Sequence, residues 1–242
     1  MNAIILAAGI GSRLLPHTLT TPKPLTNVDG IPIIEQQIEF LKEVGIDDIY
    51  VVVGYMHEQF RYLQQKYKVK LVYNTEYFNY NNIYSFYLCH EYFGDTWVIE
   101  GDVFLRENVF RPTMIHSTIF ITIKQIFQQE WEVIFDNNSN LKNIIVHKPL
   151  NEQQKAVSSA YVMAGVCYWP QKSAKIIISS LKERISLLLQ EKNHAIGNQY
   201  WDQIVMDNLN NLDIKIQIIK PDNSIEIDCV SDLVRATRIY GI

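Results

Sequence analysis

Ala3-Ile4-Ile5-Leu6-Ala7 is an unbroken apolar run that ends in a loop with glycines at positions 9 and 11. A run of this length suits a strand covered on both faces, and such strands belong to parallel sheets flanked by helices. The next seventy residues keep the same rhythm. Ile31 to Gly45 reads as a helix, with Ile34, Ile38 and Leu41 on one face and Gly45 at its stop. Asp48 to Val53 reads as a strand, Glu58 to Tyr67 as a second helix, and Lys70 to Tyr73 as a third strand. This order predicts a βαβαβ unit. Right-handed crossovers then bring Gly54, Tyr55 and Asn74 to the sheet edge where the first loop opens, which is where open α/β sheets hold ligands.

Length and composition set bounds on what surrounds that unit. The 242 residues, 48% of them hydrophobic, suit one globular domain with a large core. A net charge of -4 and the lack of a basic tail exclude a nucleic-acid footprint. Cys89, Cys167 and Cys229 form no C-x-x-C pair, so neither a disulfide framework nor a zinc site is expected, and a reducing cytoplasm fits. No basic leader precedes Ala3 and no stretch approaches the ~20 apolar residues of a membrane span, so no membrane insertion is expected.

The first loop has the makings of an anion cradle. Glycines at 9 and 11 remove side chains and let backbone N–H groups approach phosphate oxygens. Arg13 can fork onto phosphates, and Lys23, held between Pro22 and Pro24, offers a point charge from a stiffened segment. A dinucleotide fingerprint would need glycine where Leu14 stands, and a P-loop would need Gly-Lys-Ser/Thr, which is absent. Two glycines alone would better suit a tight turn with no ligand; Arg13 and Pro22-Lys23-Pro24 shift the reading to a nucleoside triphosphate.

Two acidic clusters follow. Trp97-Val98-Ile99-Glu100-Gly101-Asp102 reads as a strand ending in two carboxylates on one side of the chain, and Ile225-Glu226-Ile227-Asp228 repeats the alternation. Carboxylates at a strand's carboxyl end suit Mg²⁺, which takes hard oxygen ligands together with substrate phosphates. Either pair alone also suits a solvated strand end. Tyr77 to Ser85 is rich in amides and aromatic rings, fit either to read and stack on a pyrimidine or to form a polar loop entering a helix. Glu130-Trp131 and Tyr200-Trp201-Asp202 each set an indole beside an acid, a combination that holds quaternary ammonium groups, although tryptophans also serve as plain core residues.

Leu6-Ala7-Ala8-Gly9-Ile10-Gly11-Ser12-Arg13 followed by Pro22-Lys23-Pro24-Leu25 resembles the signature of the nucleotidyltransferases that activate sugar phosphates and alcohol phosphates. That resemblance implies a three-layer α/β/α fold with a mixed, mostly parallel central sheet and a small acceptor-binding lobe. In it, residues Leu6, Ala7, Ala8, Gly9, Gly11 and Ser12 grip the triphosphate, Arg13 and Lys23 bind its phosphates, and two acids hold Mg²⁺. With Tyr80-Asn81-Asn82-Ile83-Tyr84-Ser85, Glu130-Trp131, Tyr200-Trp201-Asp202 and Glu226-Ile227-Asp228, the whole chain looks like the bacterial cytidylyltransferases that join CTP and phosphocholine.

By this narrower resemblance Gly54, Tyr55, Asn81, Asn82 and Ser85 serve the cytidine, and Asp102 and Asp228 bind Mg²⁺. Glu130, Trp131, Tyr200, Trp201 and Asp202 cradle choline, and the CDP-choline formed goes to decorate cell-surface glycans. About residues 1–110 would bind the nucleotide and about 111–242 the acceptor, within a single domain. Glu100 departs from the Asp common in relatives, and its longer side chain carries the carboxylate outward. Three other functions fit parts of the pattern: a cytidylyltransferase for another amine such as aminoethylphosphonate, a sugar-1-phosphate nucleotidyltransferase, and a non-catalytic nucleotide sensor.

Overall fold

The structure, a computed structural model, describes residues 1–124, 130–147, 159–191 and 193–240. The chain opens with β1 (Asn2–Ala7), a small hairpin of β2 (Asn27–Val28) and β3 (Ile31–Pro32), α1 (Ile33–Glu43), β4 (Ile49–Val53), α2 (Arg61–Tyr67) and β5 (Lys70–Tyr73). It continues through α3 (Asn82–Tyr87), β6 (Thr96–Glu100), β7 (Val103–Leu105), β8 (Ser117–Lys124), β9 (Trp131–Phe135), β10 (Leu141–Val146) and β11 (Ala160–Trp169). The last part holds α4 (Gln171–Glu191), α5 (His194–Gly197), α6 (Asp202–Asp207), β12 (Ile214–Ile218), β13 (Ser224–Glu226) and α7 (Val230–Tyr240).

The main sheet runs β5-β4-β1-β6-β11-β8-β12, and β9 and β10 branch from the first half of β11. β1 lies parallel to β4 and β6, so that Leu6 faces Val52 on one side and Glu100 on the other. β11 and β10 run against the remaining strands of this sheet. The expected mixed, mostly parallel sheet is therefore present.

Alternate residues of β1 enter two different cores, which is why the run Ala3 to Ala7 has no polar member. Ile4 and Leu6 pack with Phe86 of α3, Ile177 of α4 and Ile204 of α6. Ala3, Ile5 and Ala7 pack with Ile34, Ile38 and Leu41 of α1 and Leu63 of α2. Helices on both faces make the three layers, and each fully buried Ile or Leu contributes about 1.5–3 kcal/mol relative to exposure.

The first helix starts two residues later than its periodicity suggests. Ile31 precedes Pro32, whose ring disfavours helical angles in the residue before it, and the two residues pair with β2 instead. The second helix begins as a 3-10 turn over His57–Phe60 before α2. At the far end, β8, β11, β9, β10 and β12 curl toward closure through the bridge Asn140 to Lys215, forming a compact lobe beside the parallel core. Cys89, Cys167 and Cys229 are free thiols. No helix among the described residues is long and apolar enough to cross a membrane.

Candidate active site

The first loop leaves β1 and turns at Ser12–Leu14. Gly11 holds φ +69, and a Cβ there would lie 3.0 Å from the Lys23 Cβ and 3.1 Å from Thr18 Cγ2. Only glycine meets both conditions, and the space lets the Pro22-Lys23-Pro24 segment pass directly beneath the loop. Lys23 is 8% exposed. Its Nζ lies 2.5 Å from Asp102 Oδ2 and 2.6 Å from Asp228 Oδ1, and an Arg13 guanidinium nitrogen lies 2.8 Å from the same Asp228 oxygen. Burial works against the Lys23 ammonium, but Asp102 and Asp228 outweigh it and raise its pKa.

The acids arrive from opposite ends of the chain. Asp102 sits in the turn after β6, and its carbonyl accepts the Ile227 N–H at 3.0 Å. β13 pairs antiparallel with β7, setting Glu226 opposite Val103. This register carries Asp228 to Asp102 and adds Glu226, so oxygens of Asp102, Glu226 and Asp228 all lie within 4.8 Å of one another. Burial, with the charges of Asp102 and Asp228, pushes the Glu226 carboxyl up to about 8. Three hard oxygen donors around one point could hold a divalent metal ion, and the Lys23 ammonium between two of them shows that the cluster accommodates a cation.

Glu100 points elsewhere. Its Oε1 accepts from Asn82 Nδ2 and from Trp201 Nε1, each at 3.4 Å. Burial and the neighbouring charges of Asp202 and Asp102 raise its pKa well above the ordinary carboxylate range.

Two cavities adjoin at Arg13, Asn82, Glu100, Asp102, Asn198 and Tyr200. One, of about 600 Å³, follows the first loop and the Tyr77 to Ser85 segment. The other, of about 660 Å³, is walled by Glu130, Trp131, Tyr200, Asp202, Glu226 and Asp228 among others. In the second, the Trp131 and Tyr200 rings meet edge to face, with centroids 5.7 Å apart and planes at 78°. Burial alone lifts the Asp202 carboxyl to about 7. Glu130 pairs with Lys124 at 2.5 Å, and Lys124 also reaches Glu226 at 3.6 Å.

A glycine loop over two cations, facing three clustered acids, one from the carboxyl end of the parallel strand β6 and two from the end of β13, is an arrangement that suits a metal-bound polyphosphate. The nucleotidyl transferase family model matches residues 2–207. The chain belongs to that family.

Among its relatives, the choline-phosphate cytidylyltransferase of Streptococcus pneumoniae is 39% identical over 99% of this chain and 98% of its own length. The 2-aminoethylphosphonate cytidylyltransferase of Lancefieldella rimae is 34% identical over 99% of this chain and 93% of its own. The solved structure of CTP:phosphocholine cytidylyltransferase from Streptococcus pneumoniae matches with a TM-score of 0.88 and 37% identity, covering 98% of each chain.

The fold of this nucleotidyltransferase gathers most of the residues singled out in its sequence, with informative differences. Leu6, Ala7, Ala8, Gly9, Gly11, Ser12, Arg13, Lys23, Asn81, Asn82 and Ser85 all line the first cavity. Gly54 and Tyr55 lie outside its lining: the Tyr55 N–H donates to the Ala8 carbonyl at 3.1 Å, and its hydroxyl donates to the Thr18 carbonyl at 2.9 Å. They brace the loop from behind. Trp201 borders the second cavity, but it is 2% exposed and its indole packs on Phe86 and Trp169. Trp131 and Tyr200 are the accessible rings.

Asn82 lines both cavities, and its Oδ1 accepts the Trp201 N–H at 2.9 Å. One group at the site was read in the sequence only as part of an acidic pair, and another was not singled out. Glu226 is half legible, because it alternates with Asp228 and shares its face. Lys124 carries no local signal, since a lysine at a strand's end is ordinary until Glu130 and Glu226 are seen beside it.

Proposed function

We propose that the chain transfers the cytidylyl group of CTP to phosphocholine, releasing pyrophosphate and forming CDP-choline. The observation that carries the reading is the second cavity: Trp131 and Tyr200 rings beside the carboxylates of Asp202 and Glu130, opening onto the acid cluster and Arg13. Aromatic faces attract a trimethylammonium group, by up to about 2 kcal/mol when it is desolvated, and the half-buried carboxylates supply the opposite charge, that of Glu130 being shared with Lys124. An acceptor held by that head directs its phosphate toward Asp102 and Arg13, where the two cavities meet.

CTP occupies the first cavity in this reading. The backbone of Leu6 to Ser12 cradles its phosphates, Arg13 and Lys23 neutralise them, and Asn81, Asn82 and Ser85 serve the nucleoside, with Gly54 and Tyr55 supporting the loop. The nucleotide thus relies mainly on about residues 1–110 and the acceptor mainly on about 111–242. Mg²⁺ bound by Asp102 and Asp228, with Glu226 beside them, would supply further charge neutralisation at the phosphates.

A phosphate monoester loses its second proton near pH ~6, so the attacking oxygen is already ionised at neutral pH and no strong general base is needed. The obstacle is repulsion between two anions. Lys23 and Arg13, held beside the phosphates by Asp102 and Asp228, offset it as charge builds on the leaving pyrophosphate. In-line attack of the phosphocholine oxygen on the α-phosphorus then forms one P–O bond as the bond to pyrophosphate breaks.

The test is pyrophosphate release with Mg²⁺ and CTP, comparing phosphocholine, phosphoethanolamine, aminoethylphosphonate and glucose-1-phosphate, with UTP and ATP as nucleotide controls. Phosphocholine with CTP is expected to give the highest kcat/KM. A preference for aminoethylphosphonate would assign Asp202 and Glu130, rather than the rings, to a primary ammonium. Preference for the sugar phosphate, or no release with any pair, would overturn the reading.

A further inference from the structure

The acids that flank the accessible Trp131 ring in the chain, Glu130 and Glu132, already have basic partners. Lys124, at the end of β8, sets its Nζ 2.5 Å from Glu130 Oε1 and 3.6 Å from Glu226 Oε2, and His147 Nε2 lies 2.7 Å from Glu132 Oε2. Glu130 lines the acceptor cavity, whereas Lys124 stands outside that lining, so its ammonium reaches the carboxylate from behind the wall. The Lys124 and Glu130 side chains are 29% and 19% exposed, which leaves their charges only partly screened by solvent. Toward the cavity, Glu130 therefore presents one half of a neutral pair. Asp202, beside Tyr200 in the same lining, is left to meet a cationic head.

Quaternary and primary ammonium heads ask different things of such a wall. A trimethylammonium has no N–H, spreads its charge over its methyl groups and is satisfied by aromatic faces. A primary ammonium is a compact, strongly hydrated charge with three N–H donors, each of which needs an acceptor once water is removed. To replace its water it would have to take Glu130 at hydrogen-bond distance, and there the Lys124 charge opposes it. The methyl groups of a trimethylammonium keep its nitrogen farther from both charges, so it loses less.

We propose that Lys124 is a specificity-determining residue: by pairing with Glu130 it withholds that carboxylate from primary ammonium heads and so selects phosphocholine over phosphoethanolamine. The inference rests on the acceptor assignment made above. Lys124 is a positioning residue that acts through Glu130. Its contribution is a penalty on the wrong head group, added to the attraction of the rings for the right one.

The experiment measures kcat/KM with CTP and Mg²⁺ for phosphocholine and for phosphoethanolamine, together with the dissociation constant of each acceptor by calorimetry, on the full chain. The unaltered chain is expected to prefer phosphocholine. Lys124→Met, which keeps an apolar stem and removes the charge, is expected to lower the phosphocholine-to-phosphoethanolamine ratio by about tenfold, chiefly through KM, and Lys124→Gln to do the same. Losing the contact with Glu226 alters kcat for both acceptors alike and cancels in the ratio. Lys124→Arg, which keeps a cation opposite Glu130, is expected to retain the ratio. Combining Lys124→Met with Glu130→Gln leaves no carboxylate to release, so the ratio should return toward that of the unaltered chain. An unchanged ratio in folded Lys124→Met and Lys124→Gln, or a lowered ratio that persists in the double variant, overturns the inference and leaves the cytidylyl reading standing. A preference of the unaltered chain for phosphoethanolamine overturns both.

Discussion

The two cavities meet at Asp102 and Arg13, yet they are assembled in different ways. The nucleotide cavity takes its lining from a few contiguous stretches, Leu6 to Arg13, Lys23-Pro24 and Tyr77 to Ser85, with single residues added from Glu100, Asp102, Asn198 and Tyr200. The acceptor cavity takes its lining from the ends of β6, β9 and β10, from the middle of β11, from the segment Asn198 to Gln203, and from β13 and Asp228. A phosphate grip needs only backbone N–H groups and cations at short spacing, which local conformation supplies. An aromatic cage needs rings held at fixed angles, and here they come from a strand edge and the start of a helix about seventy residues apart. The first can therefore be carried by a short motif, while the second depends on how the lobe packs.

The cations and acids where the cavities meet serve both halves, so breaking them should produce the largest effect. Asp102→Ala is expected to reduce kcat by about a thousandfold or more with the fold intact, since Lys23 loses one of its two carboxylate partners and the acid cluster loses a member. Circular dichroism alongside single-turnover kinetics checks this, and near-normal turnover in a folded variant would remove Asp102 from the chemistry.

The contrast between halves is sharpened by changes confined to one of them. Trp131→Ala should raise the KM for phosphocholine roughly thirtyfold, which corresponds to about 2 kcal/mol of cation–π attraction, and leave the KM for CTP unchanged. Equal rises in both constants would mean that the cavities do not act separately.

A smaller effect, of roughly tenfold, is expected from pH. Burial holds the Asp202 carboxyl at about 7, so its charged form is lost as pH falls through that value and its attraction for a cationic head is lost with it. The KM for phosphocholine should therefore climb between pH 8 and pH 6. The substrate phosphate itself titrates near pH ~6, so the diagnostic is the difference from Asp202→Asn, whose profile should lack the Asp202 step. Identical profiles would show that Asp202 does not face the head group.

The smallest effect on turnover is expected at the brace behind the loop. A Cβ on Gly54 would lie 2.7 Å from the Tyr77 Cβ and 2.9 Å from the Ala8 carbonyl oxygen. Gly54→Ala should cost about 1–3 kcal/mol of stability. It should also raise the KM for CTP a few-fold by shifting the loop, without changing the KM for phosphocholine. An unchanged Tm would show that Tyr77 moves aside freely.

Much of this molecule is legible before folding because the relevant physics is local. The apolar run Ala3 to Ala7 demands cover on both faces wherever it lies, and it receives that cover from α1 and α2 on one side and α3, α4 and α6 on the other. Gly11, Arg13 and Lys23 keep their spacing in the structure because three short turns, Ser12–Leu14, His17–Leu19 and Lys23–Leu25, set it. The alternation of Glu226 with Asp228 is likewise a property of extended backbone, visible as soon as the residues are read.

Other features were settled only by tertiary structure. Three tryptophans lie beside polar or small residues between the two acidic clusters, and nothing local separates them. Packing against Phe86 and Trp169 buries Trp201, whereas Trp131, on the branch strand β9, keeps a face toward the cavity. Gly54 and Tyr55 read as ligand contacts because their strand ends beside β1, but the loop itself covers them. Asp102 and Asp228 are brought together by the pairing of β7 with β13, whose register no short stretch of chain specifies. By itself the sequence determined which residues are strand, turn, cation and acid, because hydrophobic period and backbone preference act over a few residues. Tertiary structure decided which of them meet, because contacts across more than a hundred residues depend on strand register and on which side chains the core has already taken.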